Sequence, residues 1–415
     1  MDPSEEIELR GHIIDSWALP RAFDAVMDLG GEFEVLEMRV GRRKEEESLA
    51  RLRVRAPSAA QLAEILSQLQ ALGGEIARGG DVVTAPAPRD GALPADFHST
   101  TNLPTEVRIG GGWVPVEGTE MDVAILVDRK AGRAFTRPMV HVRQGDPVVV
   151  GHEGIRVLPR ARARERELFS FMNSSVSSEK PKKLVIHGIA AEIREVHARG
   201  GRVLFVAGPA IVHSGAAPHL AAMIRDGWID VLFGGNAIAA HDVEAALYGT
   251  SLGVDLERGL PVEGGHRHHM RAINVIRTAG SLAAAVEQGL LREGIMYEAV
   301  RKGIPMVLAG SIRDDGPIPD VITDVLVAQD RMREAVAGVE LALIVCTMLH
   351  GIATGNLLPA TVRTVAVDIN PAVVTKLSDR GSWQTVGLVT DAELFLRELS
   401  AAIGTVPGTP RSGSD

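Results

Sequence analysis

The sequence predicts an α/β multidomain protein with a small α+β domain first, a mostly-β module second and a parallel-sheet domain last. The chain has 415 residues, which suits two or three domains. Hydrophobic residues make up 45% of it and aromatic residues only 4%, so the core must be aliphatic. Beyond Lys183, strand-like and helical runs alternate, which is typical of a parallel sheet covered on both faces. We place the domains at 1–84, 96–172 and 183–404, followed by a disordered tail at 405–415.

The first domain has the ferredoxin-like order of elements. Apolar residues alternate in its strands, recur with helical spacing in its helices, and pairs of glycines end both helices. In chain order the predicted elements are a strand at Arg10–Ile14, a helix at Leu19–Leu29, strands at Glu32–Val40 and Ser48–Val54, a helix from Ser58 to Leu72, and a further strand at Asp81–Thr84.

A Pro- and Gly-rich linker at 85–95 separates this domain from a module of short strands. We expect its strands at Val107–Ile109, Trp113–Val116, Met121–Val127, Arg133–Phe135 and Pro147–Val150. A helix at Arg160–Phe171 follows, whose alternating arginines indicate a solvated face. The polar segment 173–183 marks the next boundary.

In the third domain, strands and helices alternate, and ligands of such sheets bind at the carboxyl ends of the strands. We expect strands at Leu184–Ile186, Arg202–Ala207, Val231–Phe233, Met306–Ala309, Leu343–Val345 and Val362–Val367. We expect helices at Ala190–Arg199, His219–Asp226, Asp242–Leu247, Ser281–Gly289, Pro319–Val336 and Asp391–Ala402.

Five of these strands end in loops that combine small residues with hydrogen-bonding groups. Glycine lets the backbone approach a pyrophosphate, and a following helix N-terminus supplies N–H groups and a positive dipole. Asp368, at a strand end, is suited to accept hydrogen bonds from ribose hydroxyls. Plain turns and caps are the alternative for any single loop. No G-x-G-x-x-G motif follows these strands, so the nucleotide site is inferred from all five together: 208–215, 234–242, 310–315, 346–351 and 368–371.

Three of these loops carry candidate reactive groups. Asp314 and Asp315 follow Arg313; they either cap a helix before Pro319, or one holds a ligand while the other acts as a base. His350 is either a structural histidine or a contact to cofactor or substrate. Cys346 ends a strand, and we interpret it as a packing residue because no neighbour stabilises a thiolate.

The loop 264–269 contains His266, His268 and His269. Three histidines in one short loop, with no cysteine or carboxylate at zinc-like spacing, rarely hold one ion. We predict no metal here, and anion binding or a subunit contact is the preferred interpretation.

Charge and cysteine content exclude several classes. The formal charge is -9, so no basic excess favours nucleic-acid binding. One cysteine permits no internal disulfide, which fits a cytoplasmic setting. The acidic N-terminus is unlike a signal peptide, and no apolar run is long enough to span a membrane.

Four motifs together resemble one family, the archaeal-type ornithine cyclodeaminases. The resemblance covers nearly the whole chain. It extends to the region named for lysine-ketoglutarate reductase/saccharopine dehydrogenase, and to the C-terminal part of cyanobacterial arginine dihydrolase/ornithine cyclodeaminase fusions. The motifs are 97–105 (FHSTTNLPT), 234–237 (GGNA) with His241 and Asp242, 248–253 (YGTSLG), and 367–370 (VDIN) with 375–381 (TKLSDRG).

The resemblance implies a C-terminal domain like the deoxyhypusine-synthase NAD-binding fold, and NAD as cofactor. The arginine-hydrolysing module of the fusions has no counterpart, so we expect no arginine dihydrolase activity. The chain departs from the family at His98, where Tyr is expected, and at Gly351, where Ser is expected. The cofactor contacts carried over are Asn236, Ala237, Asp315, Thr347, Met348, Leu349, His350, Asp368, Ile369, Thr390 and Asp391.

The activity implied is conversion of L-ornithine to L-proline and ammonia with recycled NAD. By residue type, Arg313 or Arg277 would bind the substrate carboxylate, and Asp314 or His350 would accept the ammonium proton. Asn102 is a further candidate substrate contact. Two alternatives stay open: an NAD-dependent dehydrogenase of lysine- or saccharopine-like amino acids, and a non-enzymatic NAD/amino-acid sensor. We expect a homo-oligomer.

Overall fold

The computed structural model describes residues 2–14, 17–43, 46–76, 79–158, 182–256, 260, 267–314, 316–380 and 385–407. The chain divides into two compact units, Met1–Leu168 with Leu358–Ala360, and Phe169–Leu357 with Thr361–Asp415. The predicted helix at 160–171 lies outside the described residues, as do 173–181 of the predicted boundary and 408–415 of the predicted tail. Thr405, assigned to that tail, is instead buried, and its N–H donates to the Ser400 carbonyl at 2.9 Å.

The first unit begins with a four-stranded antiparallel sheet covered by two helices. Its sheet order is β2-β3-β1-β4, and its βαββαβ element order is the one that the sequence predicts. Ser58 accepts a hydrogen bond from the Gln61 N–H and so caps the second helix. The elements are β1 (Ser4–Gly11), α1 (Ala18–Asp28), β2 (Glu32–Arg39), β3 (Ser48–Arg55), α2 (Ala59–Ala71) and β4 (Gly74–Ile76).

Two strand predictions in this unit are wrong. The first strand is not Arg10–Ile14 but β1, in which Ile7 and Leu9 are buried between charged neighbours that face the other side. The fourth strand is β4, which directly follows the glycine turn. The predicted strand at Asp81–Thr84 corresponds to a strand of the next sheet.

That next sheet has seven short strands, mostly antiparallel, in the order β11-β6-β7-β9-β8-β10-β5. The strand that comes first along the chain, β5, pairs with β10. The segment predicted as a linker, 85–95, therefore starts inside the sheet. The strands are β5 (Val83–Pro86), β6 (Thr105–Ile109), β7 (Gly112–Glu117), β8 (Ala124–Asp128), β9 (Arg133–Arg137), β10 (Pro147–Val150) and β11 (Ile155–Val157).

The second unit is an α/β domain with a seven-stranded sheet in which every described strand pair is parallel. Its strands are β12 (Arg202–Ala207), β13 (Val231–Gly235), β16 (Met306–Ala309), β17 (Val321–Ile322), β18 (Val339–Val345), β19 (Arg363–Asp368) and β20 (Thr385–Val389), with a separate ribbon of β14 (Thr250–Ser251) and β15 (Val254–Asp255). Its helices are α3 (Lys182–Ala198), α4 (Ala210–His213), α5 (Ala217–Arg225), α6 (Asn236–Tyr248), α7 (His268–Ala279), α8 (Leu282–Glu287), α9 (Ile295–Lys302), α10 (Val325–Ala335), α11 (Leu349–Leu357), α12 (Pro371–Arg380) and α13 (Ala392–Ile403).

The strand order β17-β16-β13-β12-β18-β19-β20 creates a topological switch point. From β12 the chain first builds outward through β13 and β16, and then returns to place β18 on the other side of β12. Six of the strands therefore follow the order 3-2-1-4-5-6, in which ligands bind at the carboxyl ends around the switch point. The fold thus brings the predicted strand-end loops to one edge of the sheet.

Two further predictions in this unit are wrong. The segment Leu184–Ile186 is part of α3, because its buried residues continue with helical spacing through Ile189 and Ile193. No helix begins at Pro319: β17 comes first, and α10 begins only after Asp324, whose side chain caps it. Strands β14, β15, β17 and β20 and helices α4, α7, α9, α11 and α12 were not predicted.

The core of the second unit is almost wholly aliphatic, as the composition predicts, with Phe205 and Phe395 among its few aromatic residues. Branched side chains fill both faces of the sheet, which gives the strand-end loops a rigid base. Within the described residues, no helix combines the length and the hydropathy that a membrane span requires.

Candidate active site

A cavity of about 280 Å³ lies at the carboxyl edge of the parallel sheet. It is formed where β13 meets α6, where β16 ends, and where α11 and α7 begin. Five of the predicted catalytic or cofactor-binding residues line it together, and they come from three different loops. The lining residues are Gly235, Asn236, Ala237, Ala240, His241, Leu252, His269, Met270, Ile273, Ala309, Ser311, Arg313, Asp314, Gly316 and His350.

His350 is positioned in this cavity by a close contact with the end of β13. A Cβ added to Gly235 would lie 2.8 Å from His350 Cε1, so the imidazole occupies the space that a side chain would fill. The Thr354 hydroxyl donates to the His350 carbonyl at 2.7 Å and stabilises the first turn of α11. The missing side chain at Gly235 therefore allows the histidine to reach the cavity.

The environment of His350 keeps its imidazole neutral near pH 7. Burial lowers its pKa, against the opposing effects of a hydrogen bond with the Ala309 carbonyl and the charge of Asp314. Because a carbonyl only accepts, the nitrogen facing Ala309 carries the proton. The other ring nitrogen keeps a lone pair and is able to take up a proton.

Asp314 and Asn236 tie two of the loops together. The Asp314 carboxylate accepts hydrogen bonds from the Ser311 N–H at 2.8 Å and from Asn236 Nδ2 at 3.3 Å. Asn236 Oδ1 in turn accepts from the Ile318 N–H at 3.1 Å. Asp314 thus braces its own loop rather than capping a helix before Pro319, and it places a negative charge beside the cavity. Asp315 lies outside the described residues.

The two candidate arginines lie in different settings. Arg313 is exposed and lines the cavity, so its guanidinium is available to an anionic ligand. Arg277, near the end of α7, donates to the Pro317 carbonyl at 2.7 Å and does not line the cavity. The geometry therefore favours Arg313 as the carboxylate-binding residue.

At the switch point, the loops after β12 and β18 touch. A Cβ on Gly208 would overlap the Cys346 carbonyl oxygen, so this approach requires glycine. Cys346 has a left-handed backbone (φ 54°), and burial followed by the charges of Asp368 and Asp391 raises its thiol pKa to about 12. Cys346 is therefore a packing residue rather than a nucleophile, as predicted. Beyond it, Thr347 is buried, whereas Met348 and Leu349 are exposed.

The ends of β19 and β20 carry the remaining candidate cofactor contacts. Asp368 accepts from the Asn370 N–H at 2.8 Å, and its carbonyl accepts from the Thr390 N–H. The buried Thr390 hydroxyl has no hydrogen-bond partner among the described residues. Asp391 caps α13 through the N–H groups of its first turn. Ile369, which directly follows β19, is exposed.

The candidates in the first unit are buried. Asn102 donates from Nδ2 to the Leu358 carbonyl at 2.7 Å, and it is not among the cavity-lining residues. His98 is also buried; burial, and then the nearby His152, lower its pKa to about 4.

His241 and the residues that contact it were not singled out as catalytic from the sequence. His241 lines the cavity and bonds through Nδ1 to the Glu244 carboxylate at 3.0 Å. His213 packs edge-on against His241 with ring centroids 4.7 Å apart, and it contacts the Ser251 hydroxyl at 2.6 Å. The i, i+3 spacing of His241 and Glu244 on a helix was the available signal.

Asp242, the neighbour of His241 in the same motif, has a different role. Its side chain is buried and accepts from the Ile295 and Met296 N–H groups at 2.9 and 2.8 Å. It therefore caps α9 from a different face of α6. Burial raises its pKa to about 6, against the effect of these two hydrogen bonds.

The two described histidines of 264–269 lie in different settings. His268 contacts the Thr250 hydroxyl and stacks on Tyr248, whereas His269 lines the cavity. His266 lies outside the described residues. Across the described ranges, no group of three or more His, Cys, Asp or Glu side chains is arranged to hold a metal ion.

Family models match almost the whole chain. Residues 187–399 match the C-terminal, Rossmann-fold region of ArgZ-like arginine dihydrolases, and residues 104–186 match the first region of that C-terminal part. Residues 4–103 match the LOR/SDH bifunctional enzyme conserved region.

Individual relatives match over similar lengths. The chain is 56% identical over 394 residues to the ornithine cyclodeaminase of Methanothermobacter thermautotrophicus, covering 95% of this chain and 96% of that protein. The structure of apo ArgZ, a cyanobacterial arginine dihydrolase, superposes with a TM-score of 0.86 at 40% identity, covering 97% of this chain. A ternary complex of AgrE with ornithine and NAD⁺ superposes with a TM-score of 0.53 at 44% identity, again over 97%. This chain spans 58% of the ArgZ chain and 57% of the AgrE chain.

Proposed function

This chain belongs to the ornithine cyclodeaminase family, and we propose that it converts L-ornithine to L-proline and ammonia with NAD as a recycled cofactor. The observation that carries the proposal is the cavity in which Arg313, Asp314 and His350 converge. It offers a cation for a carboxylate, an anion for an ammonium group and a neutral base. These are the groups that an amino acid with a second amine requires.

The carboxyl edge of the sheet fits NAD. Glycine at 208 lets the loops after β12 and β18 lie in contact at the switch point, where ligands bind in this strand order. The buried Thr390 hydroxyl has no hydrogen-bond partner among the described residues and is free to bond a ligand. Asp368, at the end of β19, is suited to accept from ribose hydroxyls and repels a 2′-phosphate, which favours NAD over NADP. We assign the cofactor to Asn236, Ala237, Asp315, Thr347, Met348, Leu349, His350, Asp368, Ile369, Thr390 and Asp391.

When bound, NAD⁺ supplies the hydride acceptor and later the hydride donor for the substrate Cα, so the reaction has no net redox change. The protein residues bind, orient and deprotonate. Arg313 binds the α-carboxylate, assisted by the N-terminus of α6. Neutral His350 takes the proton of the α-ammonium group through the ring nitrogen that does not face Ala309. His350 is preferred over Asp314 as the base because both oxygens of Asp314 already accept hydrogen bonds.

Four further proposals concern the folds of the two units, the cellular setting and the oligomeric state. The 3-2-1-4-5-6 strand order supports a deoxyhypusine-synthase-like arrangement without the glycine fingerprint, and the βαββαβ order of residues 4–76 supports a ferredoxin-like fold. The single, unreactive cysteine supports a cytoplasmic setting. A homo-oligomer is proposed, and light scattering of the purified chain measures it.

The test is incubation with L-ornithine and a catalytic amount of NAD⁺, with proline, ammonia and NADH followed together. We expect proline and ammonia in equal amounts, far exceeding the cofactor, with no accumulation of NADH. NADH that rises with substrate loss would instead identify a net dehydrogenase, and ligand binding without turnover would identify a sensor. H350N should lower kcat by about 10²–10⁴-fold as expected for loss of a general base. H219N is the matched control, because His219 is half-buried, contacts the Ser400 hydroxyl and does not line the cavity.

A further inference from the structure

Glu244 is a fully buried carboxylate beside the cavity. Its side chain has 0% exposure, and no arginine or lysine is among its described partners. Burial raises its pKa, but hydrogen bonds outweigh this effect, so the pKa lies below its usual value and the group is ionised. The donors are the His241 ring, the Thr250 hydroxyl at 3.0 Å, the Leu252 N–H at 3.2 Å and the Gly253 N–H at 3.0 Å.

The negative charge of Glu244 acts on the cavity through His241. Nδ1 of His241 is occupied by the carboxylate, which fixes the ring orientation and leaves Nε2 as the nitrogen that exchanges a proton with a molecule in the cavity. The side chain of His241 is 12% exposed, so bulk water has little access to it. A buried carboxylate on one ring nitrogen stabilises the imidazolium that forms when the other takes up a proton.

The surroundings of His241 contain few other charges. His213 packs against its ring edge, and partial burial and then His241 itself lower the pKa of His213, which is therefore neutral near pH 7. The His269 ring centroid lies 6.4 Å away. The ionisable groups that line the cavity with it are His269, Arg313, Asp314 and His350. His241 is thus the histidine of this cavity that has a buried carboxylate partner in the described structure.

We propose that His241 carries the proton between the two nitrogens of the substrate during ring closure, with Glu244 as its positioning residue. This rests on the proposed function. In this step the δ-nitrogen bonds to the oxidised Cα, and the bond from Cα to the α-nitrogen breaks. Nε2 takes the proton from the ring-forming nitrogen and returns it to the departing one, which leaves as ammonia. The step is redox-neutral and ends with the imidazole in its starting state.

The two histidines suit different steps. One ring nitrogen of His350 donates to the neutral Ala309 carbonyl, so no anion is hydrogen-bonded to that nitrogen. The other ring nitrogen acts as the base for the α-ammonium group. His241 is paired with an anion and so is able to both accept and donate a proton within one step. Loss of His350 should therefore impair the deprotonation of the α-ammonium group, whereas loss of His241 should impair ring closure, the later step.

The decisive experiment is a single turnover of H241Q with L-ornithine and stoichiometric NAD⁺, in which NADH absorbance and quenched proline are measured. We expect NADH to form at close to the wild-type rate and to accumulate towards one equivalent. Proline formation should slow by about 10²–10⁴-fold, the range for a lost proton-transfer group. H219Q should match the wild type in both phases.

Either a wild-type proline rate in H241Q or an equal loss of NADH and proline formation overturns the proposal. Failure of the proposed function is distinct, because wild-type protein would then make no proline. H241A separates loss of the imidazole from misfolding, because free imidazole should restore proline formation in a correctly folded protein. Absence of rescue in a folded, NAD-binding H241A also counts against the proposal.

Glu244 is tested by E244Q, which keeps the size of the side chain and removes its charge. We expect the acid limb of the pH profile of proline formation to move to lower pH, because the imidazolium loses its anionic partner. The KM for ornithine should change little relative to kcat. An unshifted profile with unchanged kcat would reduce Glu244 to a structural residue and overturn its assignment.

Discussion

Replacing Gly235 with alanine tests how the fold positions His350. Gly235 has an extended backbone (φ -131°), so alanine is not strained there by its own conformation. The added Cβ would lie 2.8 Å from His350 Cε1 and 3.2 Å from the Ala309 carbonyl oxygen. The effect of G235A therefore comes from this contact and not from backbone strain.

The size of the effect follows from the overlap. Carbon atoms in contact are about 3.5–4.0 Å apart, so the imidazole must move by roughly 1 Å. A misplacement of about 1 Å in a catalytic group costs about 10²-fold in rate. Because the side chain of His350 moves more easily than two strands of the sheet, most of the change should appear in its position. Stability should fall by no more than about 1–3 kcal/mol, the range for overpacking.

Steady-state proline formation by G235A, together with its thermal unfolding, measures both quantities. G355A is the matched control, because Gly355 lies on the same helix as His350 and an added Cβ there meets nothing within 4 Å. It should keep wild-type activity and gain up to about 1 kcal/mol. Wild-type kcat and KM in G235A would refute the positioning role of this contact.

Three other predictions concern stability. D242A should lower the free energy of unfolding by about 2–5 kcal/mol, because two buried N–H groups at the start of α9 lose their acceptor, and D242N should cost less in the same urea titration. G351S, towards the residue expected in the family, should cost about 1–3 kcal/mol in thermal unfolding, since an added Cβ lies 2.7 Å from Ile344 Cγ2. The depressed pKa of His98, about 4 against 6.5, means that its stabilising contribution is present above pH 6.5 and is lost as pH falls towards 4. Between pH 7 and 5 this loss is about 2 kcal/mol, and H98Y should remove it from the pH dependence of unfolding.

Each of these predictions has a contrary outcome. Equal stability of D242A and D242N would mean that the cap contributes little to the fold. An unchanged melting temperature for G351S would mean that the helix shifts at no cost. An H98Y protein whose stability falls with pH as steeply as the wild type would show that His98 is not the group that titrates.

The fold class could be predicted because it depends on patterns that the chain carries locally. Alternating apolar residues in β2 and β3 and buried runs such as β12 and β18 are properties of segments. Local reasoning was wrong where a segment fits both the two-residue repeat of a strand and the 3.6-residue repeat of a helix. Residues 184–186 are apolar enough for a strand, but they belong to a long helix that packs on the sheet. Likewise β17 is a two-residue edge strand, and only its pairing with β16 defines it.

The candidate site could be predicted only in part. Asn236, Arg313, Asp314 and His350 were identified because strand-end loops share one edge of a parallel sheet. Arg277, chosen by residue type, is directed to the Pro317 carbonyl. Of the neighbours His241 and Asp242, one reaches the cavity and the other caps a helix, because successive residues of α6 lie about 100° apart around its axis.

Composition, periodicity and the motif residues by themselves determined the aliphatic α/β architecture, the order of most elements and the set of loops that carry polar groups. Tertiary structure alone decided which of those groups meet. The cavity depends on the return of β18 to the side of β12 and on the space at Gly235, and each of these joins residues far apart in the chain. The charge beside it depends on the burial of Glu244. Proximity and burial set the charge and orientation of a side chain, and neither is encoded within a single segment.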